Sequence, residues 1–287
     1  MKPFLKWAGS KYRVLSHIRR ALPDGGRLIE PFCGSCAVSL NIDRSDYVLN
    51  DSNADLIRLY DMLRAHGVEF ISYCRQLFTP ETNAADVYYQ LRDEYNASTD
   101  VAHKSALFLY LNRHGYNGLY RTNGRGEFNV PFGRYRKPYF PEREMLEFHA
   151  RFRAVPFYNV DFETMMREAE PGDVIYCDPP YIPLSRTSNF TSYQAGGFSA
   201  ESQIRLARVA RDLASRGVFI LISNHDTPLT REVYQGASFV EFEVQRNISR
   251  DGGNRGRAKE LLAIYRPQAV AVDSGDPHLS LNFESMR

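Results

Sequence analysis

Residues 27–42, RLIEPFCGSCAVSLNI, and the YVLND that follows at 47–51 decide how this chain folds. RLIE is a short apolar run that stops at Pro31-Phe32, the next four residues are all small, and AVSLNI has a helical period. YVLN is a second apolar run, ending on Asp51. Strand, small-residue turn, helix, strand and terminal acid make the opening of a nucleotide-binding α/β sheet. In such a sheet small residues let the backbone approach a ligand, and the acid accepts from ribose hydroxyls. Asp51 also reads more plainly as a helix N-cap.

Outward from this unit, KYRVLSHIRRAL (11–22) is an amphipathic helix that should stop near Pro23 and Gly25-Gly26. Further strands are predicted at FYNVD (157–161), VIYCD (174–178) and GVFILIS (217–223), with a helix around Ser202–Ser215. Two late strands near Phe239–Gln245 and Glu260–Tyr265 flank a basic loop and read as an edge hairpin. Between the two α/β portions lie four helical periods, NADLIRLYDMLRAHG, VEFISYCRQLF, AADVYYQLRDEY and HKSALFLYLNR. A Gly- and Arg-rich segment, GYNGLYRTNGRGEFNVPFGRYRK (115–137), follows them. A crossover between neighbouring parallel strands needs far less. The prediction is therefore a domain formed by residues 1–54 and 146–266, carrying a mainly helical insertion at 55–145. The unpatterned tail, 267–287, is expected to be disordered.

The chain has 287 residues and a formal charge of +2, which on its face argues against a polyanionic partner. The distribution argues otherwise. Residues 1–20 hold six Lys/Arg and no acid, 112–137 six against one, and 246–260 five against two, so the remainder carries −12. This is an acidic body with three basic clusters. No apolar run is long enough to span a bilayer or to serve as a signal peptide, so a cytoplasmic protein without a membrane partner is expected. Four scattered cysteines do not make a disulfide framework. Cys33-x-x-Cys36 lacks two further ligands for zinc, and no metal is expected.

The sharpest chemical feature is Asp178-Pro179-Pro180-Tyr181, directly after the apolar VIYC. Two prolines stop the strand and remove two N–H donors, leaving the neighbouring carbonyls free to accept. At the carboxyl end of a parallel strand this sets a carboxylate, fixed carbonyls and an aromatic ring in the ligand crevice. A planar base with an exocyclic amine fits: Asp178 and the Pro179 carbonyl accept its two protons while Tyr181 stacks on the ring. The plainer reading is a strand-ending turn.

That segment resembles the D-P-P-Y motif of amino-group methyltransferases that use S-adenosylmethionine. FLKWAGSK (4–11), EPFCGS (30–35), FLYLNRHGYNGLYR (108–121), GEFNVPFGRYRKPYFP (126–141), CDPPY (177–181), NFT (189–191) and LISNHDT (221–227) together resemble the DNA adenine methylase (Dam) family. The resemblance covers roughly residues 4–266. It implies a Rossmann-like, doubly wound class I methyltransferase sheet with a DNA-recognition insertion. The implied activity is methyl transfer from S-adenosylmethionine to N6 of an adenine flipped out of double-stranded DNA at GATC, by a monomer without a metal. Cytosine N4 methylation, a nicotinamide-dependent dehydrogenase and a non-catalytic DNA-binding module are the alternatives.

On the cofactor side the resemblance implies Trp7, Lys11, Glu30, Phe32, Gly34 and Asp51, with Asp178 shared; Asp161-Phe162, after the strand FYNV, reads as a clamp on the cofactor's adenine or as a plain helix start. Lys11 would meet the methionyl carboxylate, and Trp7 would cover the apolar part of the ligand. Cys36 stands where the family's F-x-G-x-G pattern has its second glycine. On the DNA side it implies Lys6, Tyr116, Asn117, Leu119, Arg121 and Pro131 at the target sequence, with Arg134 and Tyr135 on the phosphate backbone. Tyr116 would wedge into the stack, and Arg121 would reach a guanine edge. In the second cluster, Arg113, Arg121, Arg125, Arg134, Arg136 and Lys137 interleave with Tyr116, Tyr120, Phe128, Phe132 and Tyr135, a pattern suited to phosphates and bases. His114 replaces an expected tyrosine. The third cluster either follows the flipped strand or has no part.

Overall fold

The computed structural model describes residues 1–181, 198–245 and 257–267. Asn189-Phe190-Thr191, most of the third basic cluster and nearly all of the tail lie outside the described residues.

Seven strands form one sheet: β1 (Leu28–Glu30), β2 (Tyr47–Asn50), β3 (Phe157–Tyr158), β4 (Val174–Cys177), β5 (Phe219–His225), β6 (Ser238–Gln245) and β7 (Arg257–Tyr265). Their order is β3-β2-β1-β4-β5-β7-β6. The first five run parallel, and β7 inserts antiparallel between β5 and β6. From β1 the chain winds outward to β2 and β3, then returns to pair β4 on the other side of β1, with Leu28 opposite Val174. The direction of winding switches between β1 and β4, so a crevice opens outside their carboxyl ends. The two sharpest sequence features, the turn after Glu30 and the prolines after Cys177, sit at this point.

Strands β1, β4 and β5 are buried on both faces along nearly their whole length, which is why they read as continuous apolar runs. Leu28, Val174, Tyr176, Phe219 and Leu221 face one apolar cluster. Ile29, Ile175, Cys177, Ile220 and Ile222 face the other, under α6 (Phe162–Arg167) and α7 (Ala200–Ser215).

The first cluster continues into α2 (Ala54–Arg75), α3 (Ala85–Ala97), α4 (Val101–His114) and α5 (Glu142–Phe152). Asn53 caps α2 by accepting from the Leu56 amide at 3.0 Å, and Asp100 caps α4 through His103 at 2.9 Å. The two helical periods read before and after Gly67 meet end to end in α2, where Gly67 interrupts the helical backbone with a sharp kink. Gly67 takes φ 44°, and a Cβ on it would lie 2.7 Å from the His149 ring of α5. Tyr60 of α2 packs on Phe148 and Phe157 at ring separations of 4.9 and 5.1 Å, tying α2 and α5 to the sheet edge. Helix α5 is an element beyond those expected from the sequence. Its signal is Pro141 ahead of two glutamates, with Met145, Phe148 and Phe152 buried at helical spacing.

One expectation is corrected. Ala37–Ile42 forms consecutive turns, not a helix. The Ser39 amide donates to Glu30 Oε1 at 2.7 Å, and Asn41 Nδ2 occupies the Ala37 carbonyl. Side chains take backbone groups that helix propagation would need. At the other end, Lys11–Val14 is a 3₁₀ turn that leads into α1 (Leu15–Ala21), and α8 (Pro228–Val233) follows β5.

Candidate active site

Strand β4 delivers Asp178-Pro179-Pro180-Tyr181 to the crevice. Lys11 Nζ lies 2.8 Å from Asp178 Oδ1, donates to the Gly9 carbonyl at 2.8 Å, and stands 4.6 Å from the Tyr181 ring centroid. Lys11 is only 7% exposed, so this ion pair is shielded from water. Burial pushes the Asp178 carboxyl up from its ordinary pKa, and the Lys11 charge opposes that shift. The two proline-linked carbonyls differ from each other. Pro180 O is taken by Gln203 Nε2 of α7 at 2.7 Å, whereas no donor among the described residues reaches Pro179 O. Tyr181 donates its hydroxyl to Glu260 Oε2 of β7 at 3.2 Å and meets the His225 ring of β5 at 4.6 Å and 82°.

The turn after β1 lies alongside. The Gly34 amide donates to Asp51 Oδ2 at 2.9 Å, the Asn53 amide to Oδ1 at 2.9 Å, and the Tyr60 hydroxyl to the Gly34 carbonyl at 2.5 Å. Gly34 takes φ 46°, and a Cβ there would lie 3.1 Å from the Trp7 indole. Ser35 donates to Ser10. The FLKWAGSK and EPFCGS motifs, separate in sequence, thus form one surface. Cys36 adopts φ 55°, the left-handed conformation a glycine takes most readily, so the non-glycine residue still accepts the backbone shape of the pattern. Glu30 is 2% exposed, and burial, reinforced by Asp178, raises its carboxyl to about 8 against the opposing bonds from Ser39. Cys33 and Cys36 are buried free thiols, and burial pushes both up. Among the described residues no group of three or more His, Cys, Asp or Glu could hold a metal.

Trp7 is half-buried and stacks on Phe108 and Tyr120 at 6.2 and 6.1 Å. Asp161 caps α6 through the Glu163 amide and pairs with Arg205 at 2.7 Å. Phe162 stacks on Phe32 at 5.4 Å.

The predicted DNA-side residues gather where the N-terminal segment crosses the 115–137 loop. Lys6 Nζ lies 3.9 Å over the Tyr135 ring, whose hydroxyl accepts from the Asn117 amide at 2.9 Å. Asn112 clamps both backbone groups of Lys6 and reaches the Gly118 carbonyl. A Cβ on Gly118 would collide with Lys6 at 2.3 Å, which explains the glycine. Burial, with Arg113 nearby, lowers the Lys6 ammonium's pKa. Tyr116 is 52% exposed, and its amide donates to the Pro131 carbonyl. Arg121 is held by Asn129, Nε to Oδ1 at 2.7 Å and Nη2 to the carbonyl at 3.2 Å. Leu119 packs half-buried, whereas Pro131 and Arg134 are exposed.

Two parts of the basic-aromatic reading are corrected. Arg113 faces inward, 8% exposed, donating to the Phe4 carbonyl at 2.5 Å, and burial lowers it to about 10. Phe128 is buried and Tyr120 half-buried, both in the aromatic core with Tyr95 and Phe108. A loop's residue types reveal its composition but not which side chains point out. His114 is buried, donates Nδ1 to the Tyr110 carbonyl at 2.9 Å, and is depressed to about 4, so it is neutral.

Sequence reasoning missed the supports of the Asp178–Tyr181 segment: Gln203, His225 and Glu260. LISNHDT contains His225, but nothing local marks Glu260 as a partner of Tyr181.

A seven-stranded sheet with an inserted antiparallel β7, a small-residue turn and acid at its switch point, and Asp-Pro-Pro-Tyr beside them define a class I methyltransferase acting on an amino group. Residues 7–248 match the family model for D12 class N6 adenine-specific DNA methyltransferases, and the chain belongs to that family. It is 52% identical over 270 residues to the DNA adenine methylase of Escherichia coli (strain K12), covering 94% of this chain and 97% of that one. The DNA adenine methylase of Serratia marcescens is 50% identical over 266 residues, covering 92% and 98%. That of Vibrio cholerae serotype O1 (strain ATCC 39541 / Classical Ogawa 395 / O395) is 45% identical over 267 residues, covering 93% and 96%. The family is adenine-specific, which decides between the adenine and cytosine alternatives. No helix among the described residues is long and apolar enough to cross a membrane.

Proposed function

We propose that the protein transfers the methyl group of S-adenosylmethionine to N6 of an adenine flipped out of double-stranded DNA, within GATC, acting as a monomer. The observation that carries this reading is the meeting of Asp178, Tyr181 and Lys11 at the end of β4. Beside them, the Gly34 turn and Asp51 fit the cofactor. At Gly34 a Cβ would crowd the Trp7 indole at 3.1 Å in a left-handed backbone, so the glycine keeps bare backbone facing the ligand, and Asp51 presents a carboxylate aligned by two amides with lone pairs to spare. Trp7, Lys11, Glu30, Phe32, Gly34, Asp51, Asp161, Phe162 and Asp178 are its proposed contacts. When bound, the cofactor supplies a methyl group already activated by a sulfonium, so the reading calls for no metal.

The protein's own contribution is position and polarity. Asp178 and the Pro179 carbonyl accept the two N6 protons, which aligns the nitrogen lone pair. Once N6 had received the methyl group from the bound cofactor, Asp178 would accept the N6 proton and pass it to water. Flipping costs a few kcal/mol, and stacking on Tyr181, at ~1–3 kcal/mol per base, offsets it together with Tyr116 in the vacated stack. Lys6, Asn117, Leu119, Arg121 and Pro131 read the target with Tyr116, while Arg134 and Tyr135 hold the backbone. In this division residues 1–54 and 146–266 catalyse, and 55–145 recognise DNA.

The test is incubation with methyl-tritiated cofactor and duplexes carrying GATC or single-base changes of it, followed by digestion to nucleosides. Label in N6-methyladenine from GATC alone is expected. Label in cytosine, or none, overturns the reaction, and equal label from every duplex overturns the GATC assignment.

A further inference from the structure

We infer that Glu260 is a positioning residue for methyl transfer: through the Tyr181 hydroxyl it fixes the ring on which the flipped base stacks and enriches that ring in electron density. The inference rests on the adenine reading above and extends it to a residue outside the Asp-Pro-Pro-Tyr segment.

Among the described residues, three separate elements reach Tyr181. Lys11 Nζ stands 4.6 Å from the ring centroid, the His225 ring meets it at 82°, and Glu260 Oε2 accepts its hydroxyl at 3.2 Å. Glu260 and His225 face each other directly in the β5–β7 register, so one cross-strand pair supports the tyrosine at its ring and its hydroxyl. Glu260 heads a run, Leu261, Leu262 and Ala263, that is wholly buried. A carboxylate at that edge costs desolvation, and the bond to Tyr181 gives it a specific partner. The Tyr181 hydroxyl keeps its proton, because burial pushes it far up, and so it remains a donor.

A phenol donating to a carboxylate gains negative character in its π face, and a negative face attracts cations. The ring already receives the Lys11 ammonium in this way. When the N6 lone pair bonds to the methyl carbon, the C–S pair remains on sulfur and positive charge passes to the adenine until N6 gives its proton to Asp178. A ring stacked on that base stabilises the charged transition state more than the neutral base, so the effect belongs in kcat and not in binding.

The experiment compares the unsubstituted protein with Glu260→Gln, Tyr181→Phe and the double variant, each as the full chain. Single-turnover rates are measured at saturating cofactor and GATC duplex, and flipping by the fluorescence of 2-aminopurine at the target adenine. Glu260→Gln is expected to leave DNA affinity and flipping fluorescence unchanged and to slow transfer by about tenfold. In the Tyr181→Phe background the same substitution should have no further effect, since the hydroxyl it acts through is gone. An unaltered rate in Glu260→Gln, a loss that persists in the Phe background, or a loss that follows weakened DNA binding overturns the role. If the unsubstituted protein transfers no methyl to adenine, the reaction itself is overturned, an outcome that cannot be confused with a defect confined to the variants.

Discussion

The Lys11 ammonium lies 2.8 Å from Asp178 Oδ1, and among the described residues its charge is what offsets the cost of burying that carboxylate. Removing it in Lys11→Met leaves desolvation unopposed, so Asp178 should ionise only at higher pH. The acid limb of the single-turnover rate against pH, measured at saturating cofactor, is expected to move up by about one unit. A limb that stays in place would show that Asp178 does not need Lys11 to be charged.

Glu30 makes the fold itself pH-dependent. Its carboxyl titrates near 8 in the folded protein against 4.5 ordinarily. Between those values the unfolded chain has lost a proton that the folded chain keeps, so its contribution is full below pH 4.5 and declines as pH rises to 8. Glu30→Gln keeps an acceptor for the Ser39 amide and has no proton to lose. It should gain stability relative to the unsubstituted protein as pH rises through this window, of order 2–3 kcal/mol at pH 7. Urea unfolding at pH 5 and pH 7.5 checks it, and a difference that does not grow with pH contradicts it.

Gly34→Ala tests the cofactor turn. The new Cβ meets the Trp7 indole at 3.1 Å and must be held at φ 46°. Cofactor affinity is expected to fall at least about tenfold, ~1.4 kcal/mol, with a change in emission from Trp7, the single tryptophan of the chain. Equilibrium titration followed by that emission measures both, and unchanged affinity would place the cofactor elsewhere.

Two arginines of one cluster should behave oppositely. Arg113→Ala removes a buried guanidinium from the Phe4 carbonyl and should cost ~2–4 kcal/mol of stability, read as a lower urea midpoint. Arg134 is exposed, so Arg134→Ala should leave the midpoint alone, weaken duplex binding and lower the salt slope by about one. Equal effects from the two would contradict the inward placement of Arg113.

How far the sequence could be read depended on the range of the forces involved. The strands were legible because a doubly buried parallel strand is an unbroken apolar run, and Pro179-Pro180 marks its end without help from elsewhere. Ala37–Ile42 misled because its period is helical, while Glu30 and Asn41 take the backbone groups a helix needs. Helix α5 is harder to read although Met145, Phe148 and Phe152 carry its spacing, because the Gly- and Arg-rich loop before it dominates the local composition.

By itself the sequence determined the α/β order, the turn after Glu30, the Asp178–Tyr181 segment and the basic character of residues 115–137, all carried by neighbouring residues. The tertiary structure alone decided that Lys11 meets Asp178, that Arg113 turns inward while Arg134 stays out, and that Glu260 holds Tyr181. Those outcomes depend on which surfaces pack together and how much water they exclude, and neither burial nor charge pairing across distant elements is written in any local stretch of chain.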